Sequence, residues 1–505
     1  MRSVAALSRA LGLPRSTVQD KVNQLEDSLK GKSCKTFIIT SAQISTVAHD
    51  GFVENLHAAC QFYDAQLMIA GITYNVDEEW GHGDAKKKDV GHMYDSRIRA
   101  FLINQQVKLN ENIVFTGELN ILPTAKRPLT GLEGYTGCAS TVVPHTKRQM
   151  KCVATRAGQL AKQMWTTGTC TIPNYIQKKA GQLGERHHTI GAVIVQLVDD
   201  EVFHIRAITA NEDGSFYDLT NKFENGTVSS GHRVNGIVYG DIHHEKIDLK
   251  VSKATWGYKG GRHEPLPDSM LDLLKPKHQY FHDLSDFAPR NHHNIKDPRW
   301  MAEHWDESVE DALAGCAYFL QHTYRDWSYS VIIESNHDQA YLKWLDTADI
   351  KNEPNPRNVE FYHRSQQKVY EALLERDKYF NIFEHMLKFH MKPCKHMRFL
   401  RVDETFMRVG IEHSFHGHNG INGARGSVNQ FAKLGPKVSH GHTHTPETFE
   451  GAMCAGVSGM YRQGYNVGPS SWWQTHIIEY EDGHRTHVNI IKGAWYKDMP
   501  EEAKL

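Results

Sequence analysis

The chain has 505 residues, 32 of them histidine, and a net charge of −1. That length exceeds one ordinary core, so two or three domains are expected. No apolar run approaches bilayer length, MRSVAALSRALGLPRS lacks the apolar stretch of a signal peptide, and the eight scattered cysteines form no CxxC pair. These features argue against a membrane span and leave zinc-finger and redox readings weak, and they lead us to expect a cytoplasmic protein with reduced thiols.

Residues 3–29 read as two short helices. Val4, Leu7 and Leu11 share one face, Gly12 interrupts it, and Ser16 with Gln19 has capping-box spacing for a second helix. The stretch ALSRALGLPRSTVQDKVNQL resembles a helix-turn-helix with residues 16–24 as recognition helix. A helical hairpin that mediates oligomer contacts is the other reading. Residues 1–33 are taken as one unit.

A second unit, 34–231, opens with a β-α-β pattern: KTFIITSA, then the amphipathic FVENLHAACQFYDA, then QLMIAGITY. The polar stretch from about 80 to 190 resists assignment. Between 121 and 190 it holds ten Lys or Arg against Glu133 and Glu185 alone. Two readings fit that excess: a polyanionic partner on one face, or a solvated lysine-rich surface. AVIVQLV and EVFHIRAIT read as a hairpin, followed by a Gly/Asn-rich link at 211–231.

The third unit, 232–505, alternates apolar strands and polar loops with long amphipathic helices over 300–324 and 357–391. Five of its loops follow a strand and carry metal-capable groups. GIVYGDIHHEKID holds Asp241 and His243. HQYFHDLSDF holds Asp283 and Asp286. SVIIESNHDQ holds Asn336, His337 and Asp338. VGIEHSFHGHNG holds His416 and His418, and KVSHGHTHTPE holds His442 and His444. In α/β sheets, sites form where such loops converge at the carboxyl ends of strands. Carboxylate, amide oxygen and imidazole together suit hard or borderline divalent ions, and one carboxylate can bridge two of them.

In this order the motifs Asp-x-His, Asp, Asn-His-Asp, His-Gly and Gly-His-x-His resemble those of the calcineurin-like metallophosphoesterases over residues 232–450. The resemblance implies an α/β fold with a β-sandwich flanked by helices and two divalent metal ions at one edge. Asp241, His243 and His444 would hold one ion, Asn336, His416 and His442 the other, and Asp283 would bridge them. Asp286 is a rival for the bridge, because His282 stands where the family's second motif has glycine; Ser335 replaces glycine in the third. The implied reaction is phosphoester hydrolysis by water activated between the ions. His337 would act as acid or charge stabiliser, with Asp338 orienting its ring. Arg425 either clamps the phosphate or is a surface arginine. Asn291, His292 and His293 either line the cleft or are solvated. Manganese is the first metal to expect, with magnesium, iron or zinc as alternatives.

Residue order and the FIITSAQISTVAHDGFVENL stretch further resemble host-DNA-degrading nucleases of large tailed bacteriophages, whose metal core is like that of double-strand-break repair nucleases. This implies DNA as partner, a homo-oligomer, and action in the host cytoplasm. A phosphatase or cyclic-nucleotide phosphodiesterase is the alternative, and a non-catalytic DNA-binding regulator a weaker one.

Overall fold

The computed structural model describes residues 35–74, 91–156, 158–261, 268–291 and 294–496. The helix-turn-helix expected within 1–33 lies outside these residues, as do His292 and His293.

The chain is α/β. The β-α-β start forms as expected: strands Thr36–Gln43 and Gln66–Ile72 pair in parallel across helix Asp50–Tyr63. The His49 ring caps that helix by accepting from the Phe52 N–H, and Asp64 ends it in a left-handed conformation. The expected hairpin, Gly191–Leu197 with Phe203–Thr209, completes a four-stranded sheet. The link at 211–231 differs from its expectation. It folds into a small antiparallel sheet of Phe216–Asp218, Asn221–Glu224 and Thr227–Ser229. Phe216 and Phe223 are apolar anchors set among polar residues; they stack on each other at 4.9 Å, and Phe216 meets Phe52 edge-on.

Two larger sheets form a sandwich. The six-stranded sheet runs Met397–Leu400, Tyr329–Ile333, His278–Phe281, Gly236–Val238, Thr475–Glu479, Arg485–Asn489, and its first four strands are parallel. Alternation along these strands divides their side chains. Val238, Tyr280, Val331 and Ile333 face the second sheet. Ile237, Phe281 and Ile332 face helices, among them Val309–Thr323. The second sheet has ten strands and joins Gln149–Val153 to Glu447–Phe449 by backbone pairing. Position 231 is therefore no break in the hydrogen bonding: strands from both sides of it share one sheet. The basic segment supplies three strands of this sheet, Ser140–Val143, Gln149–Val153 and Lys162–Thr166. Trp165, Phe115 and Val142 pack back against Phe37, Ile39 and Val193 of the four-stranded sheet.

Both long helices foreseen in the third unit are divided. Residues 300–324 break between Pro298–His304 and Val309–Thr323, where Ser308 accepts from the Asp311 N–H as a new N-cap. Residues 357–391 break between Pro356–Glu375 and Ile382–His390, at a left-handed Arg376 and an Asn381 cap. In each case the capping signal outweighs the continuous amphipathic pattern. Among the described residues, no helix is long and apolar enough to cross a membrane.

Candidate metal centre

Five loops converge where the sandwich opens. The parallel strands Gly236–Val238, His278–Phe281 and Tyr329–Ile333 end together and deliver Asp241 and His243, Asp283, and Asn336 with His337. From the ten-stranded sheet, the chain after Ile411–Glu412 delivers His416, and Lys437–His440 delivers His442 and His444. Backbone bonds extend the register beyond the strands: the His243 N–H donates to Asp283 O at 2.7 Å, and the Gly441 N–H to His416 O at 2.9 Å.

Asp241, His243, Asp283 and His444 are all buried and bring their ligand atoms within 4.8 Å of one another; Asp283, His416 and His442 form a second such group. Asp283 belongs to both. Its Oδ2 lies 3.2 Å from His416 Nε2 and 3.5 Å from His243 Nε2. Its rival Asp286 stands behind His243, its Oδ1 3.1 Å from Nδ1 and Lys246 Nζ 2.8 Å from its other oxygen, and gathers with His243 and His337 in a separate group.

The donor set fits divalent cations. Asp241 Oδ1, Asp283 Oδ1, Asn336 Oδ1, His444 Nδ1 and His416 Nδ1 are buried without a hydrogen-bond partner. Such groups are costly unless something else satisfies them. The Nε2 atoms of His243 and His444 face each other at 2.9 Å. Two nitrogens each about 2.1 Å from one ion, at a right angle, would be about as far apart.

The backbone is shaped for this convergence. His243, Asp283, His442 and His444 all have positive φ, between 45° and 77°. A non-glycine residue in that region costs on the order of 1–3 kcal/mol, and such strain clusters at functional sites. Gly441 is needed for close approach, since a Cβ there would lie 2.2 Å from Asp241 Oδ1.

No family model matches the chain. It is 39% identical over 481 residues to Protein A1 of Escherichia phage T5, across 92% of this chain and 83% of that protein. The chain belongs to the Protein A1 family. That relationship brings a bacteriophage setting. The name Protein A1 states no activity.

Around the ligands, electrostatics follow from burial and charge. Burial raises the Asp283 carboxyl, yet the rings of His416 and His337 bring it well below the usual carboxylate range. Burial lowers the His416 ring, but the Asp283 carboxylate holds it at about 9. His442 has no comparable support, and burial carries it down to about 3, aided by the charges of His416 and Arg425. Arg425 is exposed on the rim and makes no hydrogen bond or ion pair among the described residues. His418 lies beside His416 and His442, ring centroids 5.4 and 6.4 Å away.

His337 sits at the mouth, its ring perpendicular to that of His243 at 4.7 Å. Here the structure corrects the expected role of Asp338. That carboxylate accepts from the Ser285 N–H and the Ser335 hydroxyl, and ties two motif loops together. The His337 ring is instead held by Asp286: Nδ1 lies 3.2 Å from its carbonyl and 3.8 Å from Oδ1. The third-motif serine, by its bond to Asp338, explains why Asp338 turns away. Of the three histidines in KVSHGHTHTPE, His440 points inward, packs on Phe431 and touches its own loop backbone, so only two enter the centre.

Three contributors escaped the motif reading. Glu245 is half-buried and accepts from the Asp286 N–H and the Ser285 hydroxyl, bracing the second loop. Trp472 covers His444 edge-on at 4.2 Å, and Tyr465 lies against Trp472 at 5.8 Å. The aromatic cluster YRQGYNVGPSSWW was a visible signal for the last two. Glu245 had none beyond its closeness to His243.

Proposed function

We propose that the protein is a two-metal-dependent phosphodiesterase acting on DNA, a nuclease of the metallophosphoesterase type. One observation carries this reading: Asp283 is shared by two ligand groups, buried but for the half-buried His442, in which Asp241 Oδ1, Asp283 Oδ1 and His444 Nδ1 lack partners. Asp241, His243 and His444 would hold one divalent ion and Asn336, His416 and His442 the other. When bound, such ions lower the pKa of water and offset charge on phosphoryl oxygens. The mixed oxygen and nitrogen ligands make manganese the first metal to test.

The chain's own residues supply the rest. Asp286 accepts from His243 Nδ1–H and so fixes the tautomer that leaves Nε2 free as a ligand. His337 Nδ1–H donates to the Asp286 carbonyl, which turns Nε2 toward the mouth. Burial disfavours its protonation, but Asp283 and Asp286 raise its pKa above the ordinary value. A protonated His337 can give its Nε2 proton to the leaving oxygen or offset charge on the phosphate. Arg425, free at the rim, is suited to the next phosphate along a strand. The basic segment favours DNA over a small phosphoester.

The test is incubation of the purified protein with plasmid and linear DNA in Mn²⁺, Mg²⁺ or EDTA, beside His337→Ala. Metal-dependent degradation that collapses in the variant is the expected result. Intact DNA with turnover of bis-p-nitrophenyl phosphate would reject DNA as the substrate and leave a phosphodiesterase for small molecules.

A further inference from the structure

A second charged concavity lies away from the metal centre. Strand Lys437–His440 separates the two: His440 leads into the metal-site loop, and Lys437 lines the other cavity. At about 3.3 Å per residue, the strand alone places these ends about 10 Å apart. The cavity has a volume of about 830 Å³, within the range of small-molecule sites.

Its lining is strongly cationic. Lys126, Lys147, Arg148 and Arg186 come from the basic segment, and Lys437 and Arg485 from the C-terminal strands; only Glu212 and Glu450 oppose them. Glu450 lies 3.6 Å from His187. None of the six cations forms a carboxylate ion pair among the described residues. Arg148 donates only to Thr166 O, at 3.2 Å. Arg485 spends its bonds on Val438 O, Ser439 Oγ and Gly451 O, all uncharged. Lys147 donates to Ala125 O at 3.0 Å and Lys437 to Gly483 O at 2.8 Å. Burial lowers the Arg148 guanidinium to about 10 with no carboxylate to offset it; Arg485 is likewise lowered to about 10, although the nearby Glu479 carboxylate opposes the shift. Proteins normally pair such groups, and for Arg148 the missing partner would have to come from outside the described residues. Arginine's planar fork matches a phosphate, which it can grip by two parallel hydrogen bonds.

We propose that this cavity is a second anion site that binds a phosphate-bearing ligand, either a free nucleotide or the phosphates of a nucleic-acid strand. Arg148, Arg485, Lys147 and Lys437 would form its floor, and the exposed Lys126 and Arg186 its entrance. The proposal does not depend on nuclease activity, because the site shares no residue with the metal centre.

The test measures binding by full-length protein in EDTA, so that no divalent ion can recruit phosphate at the metal centre. The probes are inorganic pyrophosphate and a short 5′-phosphorylated single-stranded oligonucleotide, followed by calorimetry and thermal shift. Binding of at least one probe is expected, weakened about tenfold or more in Arg148→Gln. The double variant Lys126→Gln/Arg186→Gln should weaken it too; both side chains are exposed, so the fold is not at risk. Pyrophosphate binding would identify a free nucleotide as sufficient, and oligonucleotide binding alone would identify a strand. No binding of either probe, or binding unchanged in both variants, would overturn the proposal.

Discussion

Asp286 Oδ1 stands 3.1 Å from His243 Nδ1, on the side of the ring away from His444 and Asp283. This pair sets the protonation of the ring. The proton is held on Nδ1, and Nε2 presents its lone pair to the centre. Asp286→Ala is expected to weaken metal binding about 10–100-fold while leaving every ligand in place. Mn²⁺ titration of the metal-free variant by calorimetry checks this, and unchanged affinity would remove Asp286 from the account.

In the proposed mechanism His337 serves turnover and is not one of the metal ligands. His337→Ala should lower hydrolysis by about 10²–10⁴-fold with metal content retained. Asp338→Ala should behave differently, because its carboxylate bonds to Ser285 and Ser335 and not to His337. It loosens the two loops, so a lower melting temperature accompanies any loss of rate. A selective rate loss at wild-type stability would restore Asp338 as the residue that orients the His337 ring.

Gly441 makes a sharp steric prediction. A Cβ at this position would lie 2.2 Å from Asp241 Oδ1 and 3.2 Å from His282 Cβ. Gly441→Ala should displace the His442 loop and abolish high-affinity metal binding, whereas Thr443→Ala, one residue beyond His442, should retain it. Metal content of the two purified variants separates these outcomes.

Stability should depend on pH through the buried Arg290–Glu353 pair, whose Nε and Oε2 are 2.9 Å apart. Burial raises the Glu353 carboxyl, but hydrogen bonds from Arg290 outweigh it and the net shift is downward. A depressed carboxyl stabilises the fold above its unfolded value of about 4.3 and loses that contribution as pH falls through the folded value. Glu353→Ala should cost about 3–5 kcal/mol at neutral pH. The gap in melting temperature between it and the wild type should close on acidification below about pH 4. A gap constant from pH 7 to pH 3 would contradict this.

The convergence of these loops at one candidate centre was legible because each motif sits directly after an apolar run, and strand ends are where a parallel sheet gathers its loops. Asp283 could be preferred over Asp286 from its closeness to Phe281 alone. The role of Asp338 was not legible: it depends on a Ser335 hydroxyl that outcompetes the His337 ring, a choice made only by packing. Nor could the strands within 121–190 be read, because Gln149–Val153, the neighbour of Lys162–Thr166, takes its other partner from Glu447–Phe449, some three hundred residues away in the chain. The caps at Ser308 and Asn381 were present in the sequence but masked by the amphipathic pattern on either side.

The central claim is that Asp283 joins two metal positions. The most direct measurement is manganese bound per chain, by elemental analysis after equilibrium dialysis, in wild type and in Asp283→Ala. The account predicts two ions per wild-type chain and loss of tight binding at both positions in the variant. One ion or none in the wild type, or two retained in Asp283→Ala, would contradict it.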